Sequence, residues 1–229
     1  MRHVLITGAS GNLGKSLVNR FLAAGSRVTA IVIPDDPVSL VHSSPIFAKY
    51  EADLNDEPFV ERLVGDIALK HGDIDVAVLT TGGFVMGNIQ ITRSAEIFKQ
   101  YRLNVETAYH IARPVFIHMM EKGYGRIFMV GSRPGSDMRA SKDTVAYGLT
   151  KSLIFRLAEI LNESAGAANV VSSVIVPSII DTPQNRASMP DADFSTWMNP
   201  DSIAEVVEFY SSPAADGLRE PVLKLFNKA

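Results

Sequence analysis

Two residues with complementary acid–base chemistry, Tyr147 and Lys151, lie four positions apart in a stretch with helical apolar spacing. That spacing places both side chains on one face of a helix. A nearby ammonium group stabilises a tyrosinate and lowers the pKa of the phenol from its ordinary value of about 10. The pair therefore predicts a phenol that delivers a proton near neutral pH. On its own, the spacing also fits two solvated residues of an ordinary helix.

Two other polar residues, Ser132 and Asn104, are candidates for the same site. Ser132 ends the predicted strand at 125–130, and Asn104 lies in a long helical stretch at 94–121. A doubly wound sheet has its active-site crevice at the carboxyl ends of its strands. Ser132 is therefore expected to lie in that crevice.

Three glycines spaced by three, Gly8, Gly11 and Gly14, follow the first strand candidate and open the first helix candidate. Such spacing lets the backbone turn tightly and approach a pyrophosphate, which the positive N-terminal end of the helix then attracts. The pattern is G-x-x-G-x-x-G rather than the commoner G-x-G-x-x-G. A purely structural strand-to-helix turn is the alternative, but the placement favours dinucleotide binding.

The choice between NAD and NADP depends on the end of the second strand. Val32 stands where an acidic residue would hold the ribose 2′-OH of NAD. Asp35 and Asp36 follow closely, and no Lys or Arg stands there to pair with a 2′-phosphate. The local negative charge favours NADH by a small margin. Asp53 either accepts a hydrogen bond from the adenine amino group or is a turn or cap residue.

Apolar runs and helical periodicities alternate along the chain. The strand candidates are 4–7, 27–33, 47–51, 75–80, 125–130, 170–176 and 222–226, and the helix candidates are 13–24, 57–70, 94–121, 145–164 and 202–210. Continuously apolar strands are typical of a parallel sheet covered on both faces. The chain is therefore predicted to be an α/β protein: a single-domain Rossmann-type doubly wound parallel sheet with helices on both faces, spanning residues 1–229. A polar segment at 182–199 is too long for a simple connection and is a candidate substrate loop.

Composition excludes several classes of function. The formal net charge of −3 calls for neither nucleic acid nor an anionic membrane as a partner. The chain has no cysteine, and its five histidines lack metal-ligand spacing, so no metal site is expected. No apolar stretch reaches the roughly 18 residues that span a bilayer. No signal-peptide pattern precedes the first strand, and the expected location is the cytoplasm.

These motifs together resemble the short-chain dehydrogenase/reductase family along essentially the whole chain. The matching residues, in order, are Gly8, Gly11, Gly14, Asp53, Asn104, Ser132, Tyr147, Lys151, Pro177 and Thr182. The resemblance implies a catalytic set of Tyr147 (proton donor), Lys151 (nicotinamide ribose and tuning of the phenol), Ser132 (substrate orientation) and Asn104 (a proton-relay water). It implies NAD(P)H bound by Gly8, Ser10, Gly11, Asn12, Leu13, Gly14, Asp53, Thr81, Gly82, Gly83, Lys151, Pro177 and Thr182. It also implies a homodimer or homotetramer, formed through the helices at 94–121 and 145–164.

Two motifs depart from the usual family form. Thr80-Thr81-Gly82-Gly83 replaces Asn-Asn-Ala-Gly, and Pro177-Ser178 replaces Pro-Gly. These departures, and the loop sequence at 181–197, resemble the quinoid dihydropteridine reductases, a branch of the family. That branch has an acidic residue where Val32 stands and a small apolar residue where Ser132 stands. The resemblance makes Phe84, Asn185 and Trp197 candidate substrate-binding residues.

The sequence thus predicts an NAD(P)H-dependent reductase that delivers hydride to a conjugated C=N or C=O of a small molecule, with Tyr147 as proton donor. A quinonoid dihydropterin is the first substrate expectation. The alternative is a short-chain carbonyl or alcohol oxidoreductase with another substrate, because Ser132 also suits a carbonyl. A regulator that senses the dinucleotide without turnover is a remoter alternative, since a sensor has no need of an activated phenol.

Overall fold

Seven parallel strands form one sheet in the part of the chain that the computed structural model describes, residues 1–37 and 42–227. They are β1 (His3–Thr7), β2 (Arg27–Val32), β3 (Phe47–Glu51), β4 (Val76–Leu79), β5 (Tyr124–Val130), β6 (Asn169–Pro177) and β7 (Val222–Leu225). Their spatial order is β3-β2-β1-β4-β5-β6-β7. The chain reverses its direction of winding between β1 and β4, which opens a crevice at the carboxyl ends of the strands.

Eight α-helices connect the strands within the described residues. They are α1 (Asn12–Ala23), α2 (Glu57–His71), α3 (Ser94–Tyr101), α4 (Thr107–Lys122), α5 (Arg133–Ser136), α6 (Val145–Ala165), α7 (Pro183–Ser188) and α8 (Pro200–Tyr210). A π-helical segment, Arg102–Glu106, joins α3 to α4. Helices lie on both faces of the sheet, so the predicted single-domain Rossmann-type fold is confirmed.

The sheet separates two apolar cores. On one face α1 and α8 pack against it, with Leu17 and Val207 fully buried. On the other face α2, α4 and α6 pack against it, with Ile67 and Ile111 fully buried. Each strand of the centre supplies side chains to both cores in alternation, which explains why the sequence shows unbroken apolar runs. Because both faces of the sheet are buried, the polar candidate residues lie at its carboxyl edge, where the strands end.

The long helix predicted at 94–121 is the main departure from the sequence expectation. It is interrupted by the π-helical turn Arg102–Glu106, where one extra residue shifts the helical register. The segment predicted as a loop at 182–199 contains α7 and a short 3₁₀ turn at Phe194–Thr196. These short elements are stabilised by side-chain caps rather than by apolar periodicity.

None of the helices that the structure describes is long and apolar enough to cross a membrane. Exposed apolar side chains lie on several helices, among them the outer faces of α4 and α6, and also near the crevice.

Candidate active site

The glycine turn, residues 7–14, is closed so tightly that only glycine fits at two positions. Gly8 has φ +61°, and a Cβ there would lie 2.8 Å from the Thr80 Oγ1. A Cβ on Gly14 would lie 2.2 Å from the carbonyl oxygen of Gly8. Gly11 begins α1 without a side-chain cap, and the first turn of that helix contains no acidic residue. The free N–H groups and the positive end of α1 therefore fit a pyrophosphate.

A carboxylate lies beside this turn although the end of β2 lacks one. The hydroxyl of Ser10 donates to the carboxylate of Asp36. Asp35, just before it, adopts φ +55°, a left-handed conformation that redirects the chain after β2. Asp36 thereby reaches the glycine turn from four residues beyond Val32.

Asp53 has the turn role that the sequence left open. Its carboxylate accepts hydrogen bonds from the backbone N–H of Asn55 at 3.0 Å and from the Asn55 side chain at 2.8 Å. These bonds, the backbone one first, hold the pKa of Asp53 below its usual range. The helix cap itself is Asp56. An adenine contact by Asp53 stays a prediction.

Gly82 and Gly83 line the crevice where the family pattern has Ala-Gly. A Cβ on Gly82 would lie 2.7 Å from the Asn104 Oδ1 and 3.4 Å from the Lys151 Nζ. A Cβ on Gly83 would lie 2.4 Å from a methyl carbon of Leu103. The departure from Ala at position 82 thus has a steric reason. The preceding Thr80 donates its hydroxyl to the carbonyl of Thr7 at 2.7 Å and ties this segment to β1.

Asn104 ties three elements together at the floor of the crevice. It is almost completely buried in the π-helical segment. Its Oδ1 accepts from the Gly83 N–H at 3.0 Å, and its Nδ2 donates to the Gln100 Oε1 at 2.9 Å and lies 3.3 Å from the Thr150 Oγ1. The role that these contacts support is positioning, and a role in a water relay stays a prediction.

Tyr147, Ser132 and Lys151 meet at the carboxyl end of β5. Ser132 follows this strand by two residues and caps α5, where its hydroxyl accepts from the Gly135 N–H at 3.2 Å. Burial raises the pKa of Tyr147, and the neighbouring Ser132 side chain lowers it by less. The expectation that the ammonium of Lys151 lowers this pKa was therefore wrong, because burial raises it. The phenol is protonated at neutral pH and so is in the form that donates a proton.

Lys151 is buried, and its ammonium is held at the carboxyl end of β5. Its Nζ donates to the carbonyl of Val130 at 2.7 Å and lies 5.9 Å from the centre of the Tyr147 ring. Desolvation lowers the pKa of Lys151 to about 8. The ammonium therefore lies within the crevice with one protein acceptor, and two of its donor positions can still be used.

Phe84 forms an apolar wall of the crevice. Its ring meets the ring of Tyr147 edge to face, with centroids 5.0 Å apart, while 60% of the residue is exposed. Of the three residues expected to bind substrate, Phe84 is the one that contacts the catalytic set.

The substrate loop, residues 182–199, is held mostly by its own contacts. Thr182 caps α7 by accepting from the Asn185 N–H at 3.1 Å, and the Asn185 amide donates to the Ile180 carbonyl at 2.8 Å. Trp197 is buried, with 5% of its surface exposed, and it packs against Phe194 with ring centroids 4.7 Å apart. Through these contacts Asn185 and Trp197 stabilise the loop. Their contact with a substrate stays a prediction. Pro177 ends β6 at the same edge of the sheet.

One hydrogen bond connects this loop to the glycine turn. The Asn12 Nδ2 donates to the Gln184 Oε1 at 2.9 Å across the mouth of the crevice. Sequence reasoning missed Gln184, and it also missed Asp36 as a neighbour of Ser10, and Gln100 and Thr150 as partners of Asn104. No motif marks these residues, because each acts through a contact between distant parts of the chain.

Within residues 1–37 and 42–227 no cluster of His, Asp and Glu side chains could hold a metal ion.

Comparison with known proteins agrees with this geometry. The family model for short chain dehydrogenases matches residues 2–193. The chain is 26% identical over 221 residues to the cyclic-di-GMP-binding biofilm dispersal mediator protein of Escherichia coli, covering 93% of this chain and 90% of the relative. It is 23% identical over 243 residues to cyclohexanol dehydrogenase of Rhodococcus, covering the same shares of the two chains, 93% and 90%.

Solved structures show the same fold over nearly the whole chain. A short-chain dehydrogenase/reductase family oxidoreductase from Burkholderia thailandensis superposes with a TM-score of 0.83 at 25% identity, covering 99% of this chain and 91% of that one.

Proposed function

The chain belongs to the short-chain dehydrogenase/reductase family and is an NAD(P)-dependent oxidoreductase, and from that premise we propose that it reduces the carbonyl group of a small molecule with Tyr147 as proton donor. The observation that carries the proposal is that the Ser132 and Tyr147 side chains lie together at the carboxyl end of β5, close enough for the serine to lower the pKa of the phenol. Two hydroxyl groups that converge in this way suit the single oxygen of a carbonyl, on which negative charge develops during reduction.

The cofactor fits the crevice of this chain. The glycine turn would hold the pyrophosphate, with Ser10, Asn12 and Leu13 beside it, and Gly82, Gly83 and Thr81 would border the nicotinamide half together with Pro177 and Thr182. Lys151 would donate to the nicotinamide ribose with its remaining N–H groups. When bound, NAD(P)H supplies a hydride for the carbonyl carbon.

The protein's own residues supply the proton and the orientation. The phenol of Tyr147, protonated at neutral pH, donates its proton to the carbonyl oxygen as the carbon is reduced. The Ser132 hydroxyl donates to the same oxygen, and the ammonium of Lys151 stabilises the tyrosinate that remains. Asn104 holds Gly83 and α6 in register so that these groups stay aligned. Solvent then restores the phenol proton.

The choice of NADH over NADPH is supported by Asp36. Its carboxylate accepts from Ser10 beside the glycine turn, where it would repel a 2′-phosphate. Asp36, in the turn after β2, would thus take the place of the acidic residue that is missing at Val32.

A quinonoid dihydropterin is the second candidate substrate. The exposed Phe84 ring offers a stacking surface for a flat heteroaromatic ring, and the loop sequence at 181–197 resembles the reductases of such pterins. In a conjugated pterin the developing charge is delocalised over the ring, so the reaction depends less on a hydrogen bond from Ser132. A carbonyl substrate therefore uses more of the site than a pterin does.

A regulator without turnover is a further alternative, and the name of the Escherichia coli relative, which includes cyclic-di-GMP binding, makes it specific. The buried Lys151 beside Tyr147 argues against a purely sensing role, because holding an ammonium group in a desolvated site destabilises the fold. Such a cost is expected where the charge is used in catalysis.

An oligomer is supported by the outer faces of α4 and α6. The apolar side chains exposed there by 42–54% are Tyr109, Ile117, Leu149, Leu153 and Ile160. Several large apolar residues on neighbouring helix faces are typical of an interface between subunits. We propose a homodimer or homotetramer formed through these two helices.

The experiment that tests the proposed reaction is NADH oxidation with a panel of aldehydes and ketones beside a quinonoid dihydropterin. Ser132→Ala is expected to reduce kcat on a carbonyl by about 10²–10³-fold, as loss of an oxyanion donor does, and by less than about tenfold on the pterin. Ser152→Ala, which removes an exposed serine hydroxyl from α6, is the matched control. Turnover of the pterin alone would replace the carbonyl proposal with the pterin one, and turnover of neither would favour the regulator.

A further inference from the structure

Arg133 directly follows Ser132 in the chain. Its positive charge has no role in the reaction described above. It is exposed, and none of the acidic side chains that the structure describes forms an ion pair with it. Its guanidinium carbon lies 5.0 Å from the centre of the Phe226 ring. A guanidinium stacked on an aromatic ring keeps its edge N–H groups available for an anion.

The position of Phe226 fixes the side of the crevice on which this cation lies. Phe226 follows β7, and the Ser178 N–H donates to the carbonyl of Leu225 at 2.9 Å, so the ring lies beside the chain that leaves β6. Ser132 is the extended N-cap of α5, and Arg133 is the first residue of that helix. The Ser132 side chain lies beside Tyr147, and the Arg133 guanidinium lies against Phe226, which follows β7.

The opposite side of the crevice is apolar. Phe84 is 60% exposed and Met86 is 63% exposed. Their segment is tied to the start of α6, because the Gly87 N–H donates to the Asp143 carbonyl and the Val145 N–H donates to the Gly87 carbonyl, both at 2.8 Å. The reacting centre thus lies between an apolar wall and a cation.

Three acidic side chains of the surrounding loops are already engaged. Asp137 accepts from the Arg139 N–H at 2.9 Å, and Asp193 accepts from the Ser195 N–H at 3.0 Å. Asp181 takes both bonds of the Arg186 guanidinium, at 2.6 and 2.7 Å. None of these three carboxylates neutralises Arg133, so its charge can act on a ligand.

We infer that the substrate is an oxo acid, in which a carboxylate pairs with Arg133 and an apolar body lies against Phe84. The inference rests on the proposed carbonyl reduction and names its substrate class. The planar guanidinium matches a carboxylate with two parallel N–H···O bonds. The ketone gains hydride at carbon and the Tyr147 proton at oxygen and becomes a hydroxy acid, NADH is oxidised, and the carboxylate is unchanged. Arg133 is thus a specificity-determining residue.

Matched pairs of substrates test this inference. Phenylpyruvate and benzoylacetate are compared with their methyl esters, which keep the ketone and the aromatic body and lose the charge. The ratio of kcat/KM for acid to that for ester is expected to exceed about tenfold and to fall about 10- to 100-fold in Arg133→Gln, the range for a hydrogen bond to a charged group. The loss should lie mainly in KM. Arg133→Lys, which keeps the charge without the fork, should give an intermediate ratio, and Arg62→Gln, on the exposed side of α2, should keep the native ratio.

A binding measurement separates this inference from the proposed reaction. Titration calorimetry of each acid and ester into the protein saturated with NAD⁺, which has no hydride to give a ketone, measures binding without turnover. Binding of the acids in preference to the esters, abolished in Arg133→Gln, supports the anion site even if no carbonyl is reduced. Equal binding of acid and ester, or an equal loss of both in Arg133→Gln, would overturn the inference while leaving carbonyl reduction intact.

Discussion

Replacing Gly14 with alanine is a sharp test of the dinucleotide cradle. The new Cβ would lie 2.2 Å from the carbonyl oxygen of Gly8 and 2.7 Å from the Cα of Ala9. Both contacts are with backbone, so no flexible side chain can move away, and the turn itself must shift. Overpacking of this kind costs about 1–3 kcal/mol, or roughly 2–12 °C in Tm for a chain of this size.

The same shift should remove the cofactor site. We expect NADH at about 100 times its Kd to stabilise the native protein by about 2.7 kcal/mol and to leave the Tm of Gly14→Ala unchanged. Thermal unfolding with and without NADH, together with a direct binding titration, measures both effects in folded protein. Gly65→Ala is the matched control, because a Cβ on Gly65 in α2 would meet nothing within 4 Å. It should raise stability by about 0.5–1 kcal/mol and keep NADH binding. A folded Gly14→Ala protein with native affinity for NADH would refute the assignment of the turn.

Three other predictions address the cofactor and the fold. Asp36→Asn removes the carboxylate beside Ser10 and should shift kcat/KM toward NADPH by about fivefold or more, since about 1 kcal/mol of charge repulsion is lost; an unchanged NADH-to-NADPH ratio would contradict this. Gln184→Ala removes the bond from Asn12 and should speed NADH release in stopped-flow displacement by about two- to tenfold, whereas unchanged release would mean that the bond does not hold the cofactor. Burial lowers the pKa of His3, so its contribution to stability is complete above the ordinary pKa of 6.5 and is lost as pH falls through the lowered value. Urea unfolding at several pH values should show this slope in the native protein and a shallower one in His3→Gln, and identical slopes would refute it.

The fold could be predicted from sequence because each central strand is buried on both faces. Runs such as 4–6 and 127–130 have no polar interruption, and the helices between them show 3.6-residue spacing. The π-helical turn at Arg102–Glu106 could not be predicted, because the sequence pattern of this stretch fits an uninterrupted α-helix equally well. What selects it is the burial of Asn104 against Gly83 and Thr150, which belong to other elements.

That Tyr147, Lys151 and Ser132 lie together could be predicted, because Tyr147 and Lys151 are local neighbours on one helix and Ser132 follows a strand end. The electrostatics could not be predicted, since a spacing of four residues says nothing about burial. Burial lowers the pKa of Lys151 to about 8 and raises that of Tyr147. The contact between Asp36 and Ser10 could not be predicted, because it depends on the left-handed conformation of Asp35, which turns the chain back toward the first helix.

The central claim is that the phenol of Tyr147 donates the proton, and Tyr147→Phe tests it most directly. The measurement is kcat for NADH oxidation with the best substrate of the panel, beside the Kd of NADH for the same variant. Because the ring and its contact with Phe84 are kept, the account predicts a loss in kcat of about 10²–10⁴-fold with unchanged NADH affinity. A variant that binds NADH normally and keeps more than about half of the native kcat would contradict it.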